Sequence, residues 1–191
     1  MNKKLITIII VFKVLTTCLF AQPDFTFSGG LNLGRLIYDS GNSLGNTSIR
    51  PGLLFGIEIL RAPFIIGAAY VRRGGSLEIN SIDYKESFSL DYITGYALFY
   101  IPIVKDLSGL FGCQIGECMG GTFEYVHDGD TGSAIIYTDS FNTEFGLLLG
   151  TDYMFHPRIG ARISYYAGLN NMLTGYNIKN SGFGIFLLLK L

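Results

Sequence analysis

The chain has 191 residues, 49% of them hydrophobic and only 15% charged, with a formal net charge of -1. That length suits a single domain. The near-neutral balance, without a block of like charges, excludes a nucleic-acid binder, because a phosphate backbone demands clustered Lys and Arg. Charged residues make up about a quarter of a typical soluble domain; here the mean hydropathy is +0.37, and 25 Gly accompany 15 Phe and 12 Tyr with no Trp. This composition favours strands interrupted by glycine.

Residues 1–21 read as an export signal. Lys3 and Lys4 form a basic start, Leu5 to Phe20 is mostly apolar, and Ala21 supplies a small residue before a cut at Gln22. The rival reading is a membrane-anchor helix, which Lys13 interrupts. Cys18 follows Thr17, a residue larger than a lipoprotein signal usually tolerates there, so lipidation is disfavoured. Loss of Lys3, Lys4 and Lys13 leaves 11 basic and 15 acidic residues, a net charge of -4. The mature chain keeps Cys113 and Cys118. On one strand these stand roughly 17 Å apart on opposite faces, too far to bridge each other. No CxxC motif or Cys/His cluster suggests zinc.

Beyond Gln22 the recurring signal is alternation between apolar and small residues, punctuated by turns. Eight strands are expected. The first is Phe25–Tyr38, with Phe25, Phe27, Leu31 and Leu33 on one face. The second is Ile49–Leu60, where Leu53, Phe55, Ile57 and Ile59 oppose Arg50, Gly52, Gly56 and Glu58. A tight turn at Arg61-Ala62-Pro63 leads to the third, Phe64–Arg73, which is apolar on both faces and leaves its register open. In the fourth, Ser87–Tyr100, Phe88, Leu90, Tyr92, Tyr96, Leu98 and Tyr100 oppose Ser89, Asp91, Gly95 and Ala97. In the fifth, Leu110–Phe123, Phe111, Cys113, Ile115 and Met119 oppose Gly112, Gln114, Gly116 and Gly120; Glu117 falls on the greasy face and counts against that register. The sixth, Phe141–Tyr153, sets Phe141, Thr143, Phe145, Leu147 and Leu149 against Asn142, Glu144, Gly146, Leu148 and Gly150. The seventh, Arg158–Asn170, opposes Ile159, Ala161, Ile163 and Tyr165 to Gly160, Arg162, Ser164, Tyr166 and Gly168. The eighth, Gly182–Leu191, carries Phe183, Ile185, Leu187, Leu189 and Leu191 on one face.

Connections after odd-numbered strands read as long and polar, such as Asp39–Ser48 and Glu124–Thr138, and those after even-numbered strands as short. The small face decides which side is inside. It holds Gly30, Gly34, Gly52, Gly56, Gly112, Gly116, Gly120, Gly146, Gly150, Gly160, Gly168 and Gly184 rather than the Lys, Glu and Thr of a solvated sheet. Glycine weakens a strand unless space is scarce, and the interior of an eight-stranded barrel is narrow. The pattern therefore predicts an all-β fold, an eight-stranded antiparallel up-and-down transmembrane β-barrel over 22–191, with its greasy face toward lipid. Tyr92, Tyr96, Tyr100, Tyr153 and Tyr165 are expected in the interfacial aromatic girdles. The structural rival, a soluble lipocalin-like carrier, would need an apolar lumen and a charged exterior.

"GGLNLGRL", "LDYITGYALFYIP", "FNTEFGLLLGTDY" and "ISYYAGLNNM" together resemble the porin-like, PorT-type outer-membrane β-barrel family of Gram-negative bacteria. The last two are the most telling and resemble its F-x-F-G-x-x-x-G-x-x-Y and Y-x-x-G-L-x-N-hydrophobic patterns. Gly95-Tyr96 departs from the family's apolar residue and Pro, and the terminal Leu191 from the usual Phe. The resemblance implies an eight-stranded barrel inserted by the outer-membrane assembly machinery. It implies little about activity, although the namesake is associated with protein secretion.

Arg50, Glu58, Asp91, Glu144 and Arg162 are expected to point inward as a lumen polar network, since buried charges come in pairs. Eight strands leave room for side chains but no open channel. An enzyme acting on lipid acyl chains would need a His base beside a nucleophile. The chain offers only His127, near Asp128 and Ser133 in a loop, and His156 in a turn. "DGDTG" at 128–132 lacks the further acidic ligands of a calcium loop. The reading is thus a non-catalytic barrel of the cell outer membrane, without cofactor, metal or nucleic acid. Its partners are outer-membrane lipid and, through its external loops, another protein; an accessory role in a secretion complex and a lipid-modifying enzyme are the alternatives. Intact-mass measurement of the protein from washed outer membranes should give a chain that begins at Gln22.

Overall fold

The protein, seen in a computed structural model, is described over residues 24–38, 46–79, 84–127, 130–136, 141–174 and 177–191. The proposed signal, 1–21, lies outside these residues. The elements are β1 (Asp24–Tyr38), β2 (Asn46–Arg61), β3 (Phe64–Ile79), β4 (Tyr84–Val104), β5 (Leu107–His127), β6 (Asp130–Ile136), β7 (Glu144–His156), β8 (Ile159–Gly168) and β9 (Ile178–Lys190). Neighbours pair antiparallel, β4 pairs with β5, and β1 pairs with β9 from Thr26↔Lys190 to Tyr38↔Ile178. Eight strands thus close into a barrel, and β6 is a short addition that pairs with the far end of β5, from Gly121↔Ile136 to His127↔Asp130. The start of β1 and the end of β9 meet at one rim, where Lys190 Nζ lies 2.6 Å from Asp24 Oδ2 and the Leu191 amide donates to the Phe25 carbonyl.

Alternation sends Phe27, Leu31, Phe55, Ile57, Phe145, Leu147, Ile163, Phe183 and Ile185 outward, each roughly half exposed, as their pattern predicts. The outward face stays apolar until it reaches a polar ring at the loop end. There Arg72 binds Asp91 at 2.7 and 3.1 Å, Tyr70 donates to Asp91 at 2.5 Å, Thr143 donates to Glu117 at 2.5 Å, and Arg35 donates to Thr47. From Leu107 to Glu117, β5 climbs roughly 25 Å if strands tilt by ~40°, the height of the apolar band on an outer-membrane barrel.

The fourth strand corrects the sequence reading. Leu90, Tyr92 and Leu98 are buried in the lumen, with Tyr96 and Tyr100 on the same side, while Ile93, Phe99 and Ile101 face out. Asp91 therefore points outward, not into the lumen. β4 is apolar on both faces, so alternation alone did not choose; the glycines of neighbouring strands did. A Cβ on Gly67 would sit 2.4 Å from the Tyr96 ring, to which it is paired, and one on Gly146 would sit 2.3 Å from the Tyr166 ring. The rings lie where side chains are missing. Tyr92, Tyr96 and Tyr100 are thus lumen filling, and only Tyr153 and Tyr165 of the expected girdle face outward, Tyr165 packed on Phe183.

β3 resolves with Ile65, Ala69, Val71 and Arg73 inward. In β5 the expected register holds through Cys118, and Glu117 does face outward, at the polar ring. Beyond it a bulge opposite Asp91/Tyr92 skips Met119, with Gly120 at φ 141°, a conformation that favours glycine. Strand then continues where loop was expected: β5 runs to His127, and β6 occupies much of 124–138. Cys113 is exposed and Cys118 buried, both free, as their opposite faces require.

Gly67→Ala should lower barrel stability by about 1–3 kcal/mol through overpacking against Tyr96. Gly95→Ala should be neutral, because a Cβ there meets only Ile115 at 3.7 Å. Urea midpoints in detergent distinguish the two.

Candidate functional site

The lumen holds two ionic clusters, stacked along the barrel axis. Nearer the turn end, Arg162 of β8 binds Asp152, its register partner on β7, through Nε at 2.6 Å and Nη2 at 2.8 Å. The same guanidinium reaches across to Glu58 of β2 through Nη1 at 2.7 Å and Nη2 at 2.9 Å, and Tyr96 donates to Glu58 at 3.0 Å. All three charged residues are at least nine-tenths buried. Planar bidentate pairing on both sides uses the whole donor fork of the arginine.

Nearer the loop end, Arg73 of β3 pairs with Glu144 of β7, which is fully buried. Asn180 of β9 donates to Glu144 and to the Tyr92 hydroxyl. The Arg73 guanidinium lies 4.0 Å from the Tyr166 ring centroid and 5.3 Å from that of Tyr92, so its faces meet aromatic rings while its edge meets the carboxylate. Above it Leu36, Leu90, Met172 and Ile178 form an apolar cap. Met172, from the β8–β9 connection, is completely buried there and fixed by the Met172-to-Ile178 and Asn142-to-Met172 backbone bonds.

Between the clusters lies a cavity of about 40 Å³ lined in part by Ser28, Thr94, Gln114, Ser164 and Arg162. It has room for a water or two, and Gln114 Nε2 has no protein partner. Toward the turn end, a vestibule of about 320 Å³ opens below Glu58 and Asp152, between Tyr100, Lys105, Asp106 and Lys190. Among the described residues the lumen is filled, not a solute channel.

Of the five residues expected in the lumen, Glu58 and Arg162 meet each other, and Glu144 joins the other cluster. Asp91 is on the exterior with Arg72. Arg50 pairs with Glu124 at 3.2 Å, both partly exposed, where Ser87 also donates to Glu124. The sequence reading missed Asp152 and Arg73. Asp152 was legible, since it shares the parity of Glu144 on one strand; Arg73 was not, because the register of its strand was open.

His127 pairs in register with Asp130, while Ser133 pairs with Glu124. Three residues of strand, roughly 10 Å, separate the two rows, so no His–Ser dyad forms; Asp128 lies outside the described residues. No group of three or more metal-ligating side chains occurs among the described residues.

No family model matches the chain, and no curated protein is similar to it in sequence. Solved structures are similar in fold. Neisserial surface protein A is 11% identical at a TM-score of 0.55, over 87% of this chain and 97% of that one. Ail, the attachment invasion locus protein of Yersinia pestis, is 16% identical at a TM-score of 0.53, over 90% of this chain and 100% of that one.

Removing Arg162 strands two buried carboxylates. Arg162→Met should cost about 3–5 kcal/mol, read as a lowered urea midpoint in detergent micelles. Arg162→Met combined with Glu58→Gln and Asp152→Asn should recover most of the loss. The closed, antiparallel eight-stranded architecture is that of small outer-membrane barrels.

Proposed function

We propose that the protein is a small barrel of the outer membrane that opens no pore and presents a rigid sheet to the outside for interaction. The observation that carries this reading is the pairing of an apolar exterior with a polar lumen closed by Met172 and two ionic clusters. A lipocalin-like carrier would need the reverse arrangement. Among the described residues no path is open to solutes, so what remains for recognition is the part that projects beyond the polar ring. There β4 and β5 run on past Asp91 and Gly120, and β6 pairs with β5 alone among the described residues. A strand with one unpaired edge is a template for an extended partner segment, and Ile135 on it is 72% exposed.

The reading includes a signal peptide over 1–21, insertion by the assembly machinery, and membership of the PorT-type barrels. The residues that suggested the family lie as follows: Gly146 and Gly150 line the lumen beneath Tyr166 and Ser164, and the Asn171 carbonyl accepts from Asn142 Nδ2 at 3.1 Å, tying the β8–β9 connection to the chain just before β7.

An epitope tag inserted between Asp128 and Asp130 tests the topology. Antibody should reach it on intact cells, and the unboiled protein should migrate apart from the boiled form on detergent gels. Vesicles carrying the protein should show no swelling in small sugars. A tag detected only after permeabilisation, or sugar entry above that of empty vesicles, would overturn the reading.

A further inference from the structure

The outward face carries a notch where small residues from neighbouring strands meet beside large ones. Between β4, β5 and β7, the register sets Gly95 beside Ile115 and Ala97 beside Cys113. These three small residues floor a notch of about 410 Å³ whose walls are Ile115, Phe145, Leu147 and Leu169. At its turn end is a shelf of rings: Phe99 stacks on Phe111 at 5.0 Å and 9°, and Phe64 packs on Phe99 at 4.7 Å. At its loop end is Glu117, whose Oε1 accepts from Thr143.

We propose that this notch seats one acyl chain of an outer-leaflet lipid whose headgroup offers an amine donor to Glu117. The inference rests on the outer-membrane reading above. Three features select this occupant. The lining is wholly apolar, which suits a hydrocarbon and excludes a polar segment. The descent from Glu117 to Phe111 is roughly 15 Å for a tilted strand, the depth of one leaflet of a ~30 Å hydrocarbon core. And the charge at the open end is a carboxylate: Arg72 and Asp91 neutralise each other, and the ring's remaining cation, Arg35, stands on β1, four strands away around the barrel. An amine complements that carboxylate, and a headgroup with only phosphate and hydroxyls is repelled by it.

The contrast with the rest of the wall gives the notch its selectivity. Elsewhere Phe55, Ile57, Ile163, Ile185 and Leu187 stand proud, so lipid chains lie over them and exchange freely. Within the notch a chain meets the floor of small residues and the flank of Phe145, Leu147 and Leu169 together, so its dispersion contacts multiply.

The full-length mature protein should be reconstituted in vesicles of phosphatidylethanolamine and phosphatidylglycerol, extracted in mild detergent, and weighed intact. The wild type should retain one lipid, predominantly phosphatidylethanolamine. Ala97→Leu with Cys113→Leu fills the notch, and by excluding a pair of methylenes should cut retention by about tenfold. Ala161→Leu, an equivalent enlargement on the outward face of β8, should leave retention unchanged. Glu117→Gln should keep a bound lipid but lose the headgroup preference. The heat-dependent mobility of each variant shows whether the barrel is closed and inserted, so loss of that shift in the wild type would sink the outer-membrane reading itself. With the shift intact, equal retention by the wild type and the notch-filled variant would overturn the lipid site. So would a wild-type dimer that becomes monomeric on filling the notch, which would place a second copy there.

Discussion

Closure of the sheet between β1 and β9 is the constraint on which the rest of the structure depends. An open edge in lipid would leave amides and carbonyls without partners, at several kcal/mol each. Eight strands satisfy every wall position but leave a narrow interior that must be filled. The chain fills it by placing aromatic rings over absent side chains. Tyr96 lies over Gly67, Tyr166 over Gly146 and Phe186 over Gly184. At other positions the limit is backbone itself: a Cβ on Gly30 would lie 2.0 Å from the Ile185 carbonyl oxygen, and one on Gly112 2.0 Å from that of Ala97. Glycine here records the curvature of a small barrel as well as the bulk of its contents.

The charges need a separate account, because a buried ion pair contributes little net stability over a well-packed apolar replacement. Their placement suggests what they add. Arg162 ties β8 to β7 and, across the lumen, to β2; Arg73 ties β3 to β7. A slip of one residue in any of these strands would turn its charge onto the lipid face, at about 2–4 kcal/mol for an arginine near mid-bilayer, and would strand its partner inside. The network therefore penalises wrong registers far more than it stabilises the right one. That is useful in strands such as β3 and β4, whose hydrophobic pattern specifies register weakly.

This division also explains what the sequence could reveal. β1, β2, β7 and β8 each carry one greasy face and one mostly small or polar face, so alternation fixes their orientation, and Glu58, Glu144 and Arg162 follow; β9 turns Phe183, Ile185, Leu187 and Leu189 outward although Phe186 and Leu188 fill the lumen. β4 does not: Leu90, Tyr92, Tyr96 and Leu98 are as greasy as Ile93, Phe99 and Ile101. The rule that apolar means outward fails there because a barrel lumen accepts aromatics wherever a neighbour supplies glycine. Asp91 went with it, since a residue's side depends on the parity of its whole strand. Arg50 failed differently. Its pairing with Gly34 fits the expected parity, but the β2–β3 ladder is irregular between Ile49 and Leu54, and Arg50 lies beyond most of the barrel, against Glu124.

Four register shifts interrupt the described ladders; two of them, at Pro102/Val104 and Met154/His156, lie at the turn end, and the other two share a level. One lies between Ile49 and Leu54, opposite the stretch that holds Arg72; the other lies opposite Asp91. Arg72 and Asp91 are themselves the ion pair of the polar ring. The ladder is thus reset where the outward face changes from apolar to polar. Below the bulge in β5, Phe111, Cys113, Ile115 and Glu117 face outward. Above it the parity reverses, so Thr122 is exposed while Phe123 packs on Phe88 at 4.9 Å, beside the apolar cap. An apolar-out strand continued without a break would carry its greasy face into solvent. The extra residue at Met119–Gly120 lets one uninterrupted strand obey lipid rules along its lower half and aqueous rules along its upper half.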